Sequence, residues 1–309
     1  MASIKNYLSL IKFSHTIFAL PFALIGFSLA ADDYLDLSTF IAGTETDHSV
    51  MSTPWFWVKK LGLVLLCMVF ARSAAMAYNR YLDRHFDAKN PRTAIREIPS
   101  GIISDKNAIW FTMINCFFFI VTTYFINELC FYLSPIALFV ILFYSYTKRF
   151  TPLCHLVLGV GLSLAPIGAY LAVAGDFQWL PIVFSLTVLC WVSGFDIIYA
   201  LQDEEFDKAN QLYSIPAVLG KKQALAVSRL LHTLAAAGVV LAGTFGGFGY
   251  LYWVGAVIFV GMLFYQQSIV KPADLSKVNI AFMAANGTAS VLFALFVIAD
   301  LFFHTRYLS

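Results

Sequence analysis

Long apolar runs broken by short polar stretches make up most of this chain. A helix that crosses a membrane needs about 20 mostly apolar residues. Nine runs approach that length, at about 13–31, 61–79, 107–126, 131–147, 153–174, 180–200, 224–243, 247–269 and 280–303. The third and fourth are separated only by a hinge at Asn127 and Glu128. The pattern predicts an all-α, polytopic membrane protein, with residues 1–309 forming a single integral-membrane domain. The first run has Lys5 and Lys12 ahead of it and Ser28-Leu29-Ala30 behind, as a signal peptide would. With eight further spans to follow, it is expected to stay as a signal anchor.

Composition supports the membrane reading. With 60% hydrophobic and 12% charged residues, too few polar groups remain to cover a water-soluble surface. A bilayer solvates those apolar faces. The 30 Phe fit lipid-facing helices and do not by themselves specify a ligand. Placing the N-terminus in the cytoplasm puts 16 of the 20 Lys and Arg residues in cytoplasmic segments. Lys59, Lys60 and Arg306 fall on the other side, and Arg72 lies within a span. That bias sets the orientation. The net charge of +2 therefore gives no reason to expect a nucleic-acid partner. Cys67, Cys116, Cys130, Cys154 and Cys190 lack CxxC spacing and read as packing residues. The external loop at about 32–58 is acidic but contains nothing resembling a site. The glycines of GTFGGFGY at 243–250 precede no Lys, so they read as a tight interhelical turn, not a phosphate loop.

Two acidic clusters change the picture. In NRYLDRHFD at 79–87, Asn79, Asp83 and Asp87 are four residues apart and share one helix face while the helix continues. DIIYALQDEEFD at 196–207 is expected to extend the sixth span in the same way. Asp196 and Tyr199 would lie near the membrane boundary, with Asp203 and Asp207 one and two turns beyond. Spans two and six are an even number of crossings apart, so both clusters emerge on the same side. Carboxylates brought together in this manner bind cations or repel one another at considerable cost. Carboxylate and amide oxygens suit Mg²⁺ with a bridging phosphate. Basic residues stand nearby, in AKNPRTAIREIPSG at 88–101 and YSYTKRFTP at 144–152. Metal-holding acids beside anion-holding bases are the two devices that a diphosphate requires.

Arg72 is seven residues before Asn79, on the same face and about 10 Å deeper by helix rise. A charge there needs a partner or a wet cavity. Two readings stand: an ion pair with Asp196, or an anchor for an anionic substrate.

At these residues the chain resembles the UbiA superfamily of intramembrane prenyltransferases. The resemblance runs in order through N-x-x-x-D-x-x-x-D at 79–87, PRTAIREIPSG at 91–101 and YSYTKRFTPLCHLVLG at 144–159. It continues through D-x-x-Y-A-x-x-D-x-x-x-D at 196–207 and IPAVLGKK at 215–222. It implies a ring of about nine transmembrane helices around a central cavity, with both acidic motifs at its cytoplasmic mouth. By motif position, Asn79, Asp83, Asp203 and Asp207 would coordinate Mg²⁺ on a polyprenyl diphosphate, assisted by Asp87. Arg96, Lys148 and Arg149 would hold the diphosphate, and Arg72 would contact the acceptor. Asp83 and Asp203 would act at the reacting diphosphate, while Asp196 and Tyr199 would line the reaction pocket as the other catalytic candidates. The sequence departs from many members at Arg80, where they carry Asp, so its first motif is one carboxylate poorer.

Within the superfamily, the resemblance is strongest to the 4-hydroxybenzoate polyprenyltransferase branch. It implies Mg²⁺-dependent prenylation of a small aromatic acid beside the lipid bilayer, in ubiquinone biosynthesis. A menaquinone-pathway branch with a naphthoate acceptor is the alternative. No transit-peptide pattern is present, which points to a bacterial cytoplasmic membrane. A cation or metabolite transporter is the rival from another class. Transporters, however, place their sites near the midplane on broken helices, whereas these acids gather at one face.

Overall fold

The computed structural model describes residues 3–11, 18–41 and 54–304. The start of the first expected span at 13–17, residues 42–53 of the loop expected at about 32–58, and Arg306 lie outside the described residues, while residues 32–41 and 54–58 of that expected loop are helical. Among the described residues are nine helices of 18 or more residues: α2 (Leu20–Ile41), α3 (Pro54–Lys89), α4 (Asp105–Tyr124), α5 (Glu128–Thr147), α6 (Cys154–Ala174), α7 (Trp179–Ala200), α10 (Lys221–Phe245), α11 (Tyr250–Ile269) and α12 (Asn286–Phe303). Short helices α1 (Ile4–Leu10), α8 (Glu204–Ala209) and α9 (Ile215–Leu219) complete the set, with a π turn at Ile280–Ala285 leading into α12. The chain is a multi-pass membrane protein. Eight of the long helices are apolar enough to cross a bilayer by length and composition. The ninth, α2, carries Asp32, Asp33 and Asp36 in its second half.

Local chemistry sets the element ends. Pro54 opens α3, where its fixed φ suits a first helical residue. A break separates α4 from α5 as expected, but it spans Phe125–Asn127 and Glu128 already belongs to α5; the Asn127 side chain caps that helix by accepting from the Cys130 backbone N–H at 2.8 Å. Ser104 caps α4 through Asn107 N, and Gly175 closes α6 at φ +75°. Of the 243–250 glycines, Gly246, Gly247 and Gly249 form the turn between α10 and α11, with Gly247 at φ +68°, whereas Gly243 lies within α10. All five cysteines are free.

The helices pack in succession from α3 to α7, then through α10, α11 and α12 back to α2, which lies on α6. Small residues allow close crossings. A Cβ added at Gly26 would stand 2.0 Å from Pro166 O, where α2 meets α6. One at Gly159 would stand 2.3 Å from Ser193 Oγ, where α6 meets α7. An aromatic core of Phe22, Phe184, Trp191, Tyr252, Phe259 and Phe293 fills the α2–α7–α11–α12 side of the ring. The α3–α6 side encloses a cavity instead. Helix α3 has 36 residues. At about 1.5 Å per residue it is far longer than a ~30 Å hydrocarbon layer. Its last turns project beyond the apolar zone with the first acidic motif still helical.

Candidate active site

The cavity has a volume of about 730 Å³. Its depth is apolar, with Val64, Met68, Phe119, Ile126, Leu164 and Ile167 among the lining residues. Its mouth is charged, and both acidic motifs face it.

Because α3 remains helical to Lys89, the four-residue spacing places Asn79, Asp83 and Asp87 on the cavity face. Asp83 and Asp87 are only 3% and 6% exposed. Asp83 accepts from Lys148 Nζ at 2.6 Å and from the Arg149 guanidinium at 3.0 Å, with Asn79 Nδ2 at 3.5 Å. Asp87 accepts from Arg96 at 2.7 Å, and the Thr93 hydroxyl donates to its backbone carbonyl. These contacts fold the 90–104 segment against the end of α3.

The second motif is not the uninterrupted helix that the sequence predicts. Helix α7 ends at Ala200, a 3₁₀ turn spans Leu201–Asp203, and α8 follows. The tighter turn alters the spacing beyond Tyr199. Asp203 still faces the mouth, where it pairs with Arg92 and accepts from Asn90 Nδ2 at 3.3 Å. Arg92 also donates to the Tyr199 hydroxyl at 2.9 Å. Burial would lower the Arg92 guanidinium, but Asp203 and Tyr199 outweigh it and hold the group above its ordinary value. Asp207 accepts from Ser214 Oγ at 2.8 Å. Deeper on α7, Asp196 pairs with His155 Nδ1 at 2.7 Å. The Ile215 backbone N–H donates to Nε2 of the same ring at 3.3 Å. That contact makes Nε2 the acceptor and Nδ1–H the donor to Asp196.

Asp83, Asp87 and Asp203 are therefore paired with bases and Asp207 with a hydroxyl, and no three His, Cys, Asp or Glu side chains among the described residues converge as a metal-holding group. The donor set nonetheless fits a hard cation. It offers four carboxylates and one amide around a single mouth. Oδ2 of Asp87 is buried and accepts no hydrogen bond, leaving a strong acceptor open to a cation. Replacing each acid–base pair by metal on the acid and phosphate on the base would satisfy both groups.

With this geometry in view, comparison with known proteins decides the family. The sequence pattern of the UbiA prenyltransferase family matches residues 19–296. The chain belongs to that family. It is similar to a protein of Aliivibrio fischeri named 4-hydroxybenzoate octaprenyltransferase, with 31% identity over 74% of this chain and 79% of the relative. Its fold is similar to the apo structure of a UbiA homolog from Aeropyrum pernix, with a TM-score of 0.74, 27% identity and coverage of 93% and 97% of the two chains. A UbiA homolog from Archaeoglobus fulgidus bound to DMAPP and Mg²⁺ shares the fold at a TM-score of 0.69 and 18% identity, with coverage of 96% and 99%. The protein is thus a membrane prenyltransferase, and transport falls away as a reading.

Within this UbiA member, Arg72, Arg80, Arg96 and Lys148 line the cavity with the acids. Arg149, expected beside the diphosphate, is not among the lining residues. It is held by the carbonyls of Leu82 and Ser145 as well as by Asp83. Its guanidinium lies over the rings of Phe86 and Tyr146. Asp196, the partner considered for Arg72, is engaged by His155. Arg92, His155 and Ser214 take direct part in the site without having been singled out. Arg92 and His155 lie within quoted motifs and Ser214 adjoins one, but only tertiary contact singles them out.

Proposed function

We propose that the protein transfers a polyprenyl group from polyprenyl diphosphate to the ring of 4-hydroxybenzoate, in a Mg²⁺-dependent step of quinone biosynthesis. The carrying observation is a single cavity with an acid-and-base mouth, an apolar interior and one guanidinium, Arg72, deeper on the α3 wall. The name of the Aliivibrio relative and the ligands of the Archaeoglobus homolog support the same assignment. Residues 1–309 act as one integral-membrane unit with the N-terminus in the cytoplasm. The lysine and arginine bias and the bacterial relatives support a bacterial cytoplasmic membrane.

Asn79, Asp83, Asp87, Asp203 and Asp207 would hold the metal. Bound Mg²⁺ neutralises charge on the diphosphate and so favours departure of that group. Lys148, Arg96 and Arg92, released from their acids, bind the phosphate oxygens. Arg149, which donates to the Leu82 and Ser145 carbonyls as well as to Asp83 and does not line the cavity, keeps Asp83 in place. The apolar interior receives the isoprenoid and excludes water from the allylic carbon. Arg72 binds the acceptor carboxylate. Oδ1 of Asp196 takes the ring proton, while Oδ2 stays bound to His155.

Purified full-length protein, labelled polyprenyl diphosphates and a panel of aromatic acids test the proposal. Prenylated 4-hydroxybenzoate formed with Mg²⁺ and lost with chelator is the expected result. Preferential use of a hydroxynaphthoate would move the enzyme to the menaquinone pathway. Absence of any prenylated aromatic product would remove the assignment.

A further inference from the structure

When the diphosphate departs, positive charge remains on carbon, and something in the cavity wall has to stabilise it. A carboxylate is poorly suited, because it can trap the cation as an ester. Asp196, on the wall beyond the mouth acids, is already engaged by His155. Aromatic faces stabilise a cation without bonding to it.

Four rings form such a wall. Tyr199, hydrogen-bonded to Arg92 at the mouth, has its ring centroid 4.3 Å from that of Phe282. Phe282 is in turn 5.5 Å from Phe195 and 5.2 Å from Phe18, centroid to centroid. All four residues line the cavity. Phe195 precedes Asp196 in the chain, so the rings join the charged mouth to that carboxylate.

Phe282 is presented by unusual backbone. It lies in the π turn Ile280–Ala285, a widened helical form that is rare and recurs at functional sites. Two amide side chains, each 1% exposed, brace it. Gln266 Nε2 donates to Ala281 O at 2.6 Å, and Asn286 Nδ2 donates to Ala281 O and Phe282 O at 3.2 and 2.9 Å. Asn286 Oδ1 accepts from Trp191 Nε1 at 2.9 Å. Buried amide donors are costly unless their hydrogen bonds are met; here both amide nitrogens are spent on the turn that carries Phe282, while Gln266 Oε1 has no partner among the described residues. A phenylalanine needed only for packing would not require this arrangement.

We propose that Phe282 is a catalytic residue whose π face, with Tyr199 and Phe195, stabilises the allylic cation. The inference rests on the prenyl-transfer reading above. The C–O bond breaks heterolytically and its electron pair leaves with the diphosphate. The acceptor ring supplies the pair for the new C–C bond, and its displaced proton passes to Asp196.

Fluorinated phenylalanines placed at 282 in the full-length membrane protein keep the shape of the ring while draining its π face. Single-turnover transfer rates at saturating substrates should fall with each added fluorine, to about a tenth with three. The KM of each substrate should stay within about twofold. Rates unchanged across the series, or losses confined to KM, would overturn the role of Phe282 while leaving prenyl transfer intact. Unsubstituted enzyme that prenylates no aromatic acid would instead refute the underlying reaction and this role with it.

Discussion

Lys148 Nζ lies 2.6 Å from Asp83 Oδ2, so a base assigned to the diphosphate and an acid assigned to the metal hold each other. Asp83 is almost fully buried, and a buried carboxylate without a partner would cost several kcal/mol. The pair holds both side chains in position at the mouth. On the proposed assignment, binding would exchange partners on each side, metal for the acid and phosphate for the base.

This exchange couples the two ligands. A non-hydrolysable polyprenyl diphosphate analogue should bind at least about tenfold more tightly with saturating Mg²⁺, and the analogue should raise Mg²⁺ affinity by the same factor. Calorimetry in either order of addition measures this, and equal affinities with and without metal would contradict it. Asp83→Ala or Asp203→Ala should each abolish most transfer. The double variant should be little worse, because the groups act as one unit.

His155 is predicted to position Asp196. Its Nδ1–H donates to Oδ2 because the Ile215 N–H occupies Nε2. His155→Leu should lower kcat by roughly 10- to 100-fold, less than the roughly 10²- to 10⁴-fold expected from losing a general base itself, and should leave diphosphate-analogue affinity unchanged. His155→Gln, which retains an N–H donor, should recover part of the rate. A loss of analogue affinity equal to the loss of kcat would point to collapse of the mouth.

Much of the fold was legible because a span announces itself by length and hydropathy. Nine runs became nine long helices, and the Asn127 hinge was readable as a cap. The 79–87 motif was legible for a similar reason, since i, i+4 spacing has one meaning on a continuous helix. The 3₁₀ turn at Leu201–Asp203 was not, because no Pro or Gly marks it. The π turn was equally silent, being held by Gln266 from another helix. Lys60 shows the same limit. Charge counting treats it as topological, whereas its ammonium bonds Ile126 O and Ala172 O at 2.8 and 2.9 Å.

Those two bonds make a prediction about stability. Lys60 ties together the far ends of α4 and α6 beneath the cavity, at carbonyls near helix C-termini, where positive charge is favoured. Lys60→Met would leave Ile126 O without this partner and Ala172 O with only the 3.4 Å bond from Asn127 Nδ2, at about 1–3 kcal/mol for an unpaired buried group. Thermal unfolding in detergent should begin a few degrees lower. An unchanged Tm would show that water replaces the ammonium.

Orientation can be checked by labelling in a background with the five native cysteines replaced. Ser100→Cys, exposed beside the first acidic motif, should react with an impermeant maleimide only from the cytoplasmic face. Asp176→Cys, exposed in the turn between α6 and α7, should react only from the opposite face. The reverse pattern would place the cavity mouth outside the cell and contradict the charge bias.

Arg72 is predicted to recognise the acceptor carboxylate. It lines the cavity on α3 seven residues before Asn79, about 10 Å deeper than the mouth acids by helix rise. That depth lies beyond a diphosphate held by Lys148 and Arg96, but within reach of a small acid beside the allylic carbon. A charge-assisted bond there would determine which ring carbon meets the cation. Arg72→Lys keeps the charge but loses the planar fork, so it should raise the acceptor KM by at least about tenfold. Saturation by the polyprenyl diphosphate should change by less than about twofold. An acceptor carrying a carboxamide in place of the acid provides the decisive comparison. Wild-type enzyme should discriminate strongly against the amide, and Arg72→Lys should lose much of that discrimination. If wild type uses the amide as readily as the acid, Arg72 does not anchor the acceptor, and its charge serves the cavity wall instead.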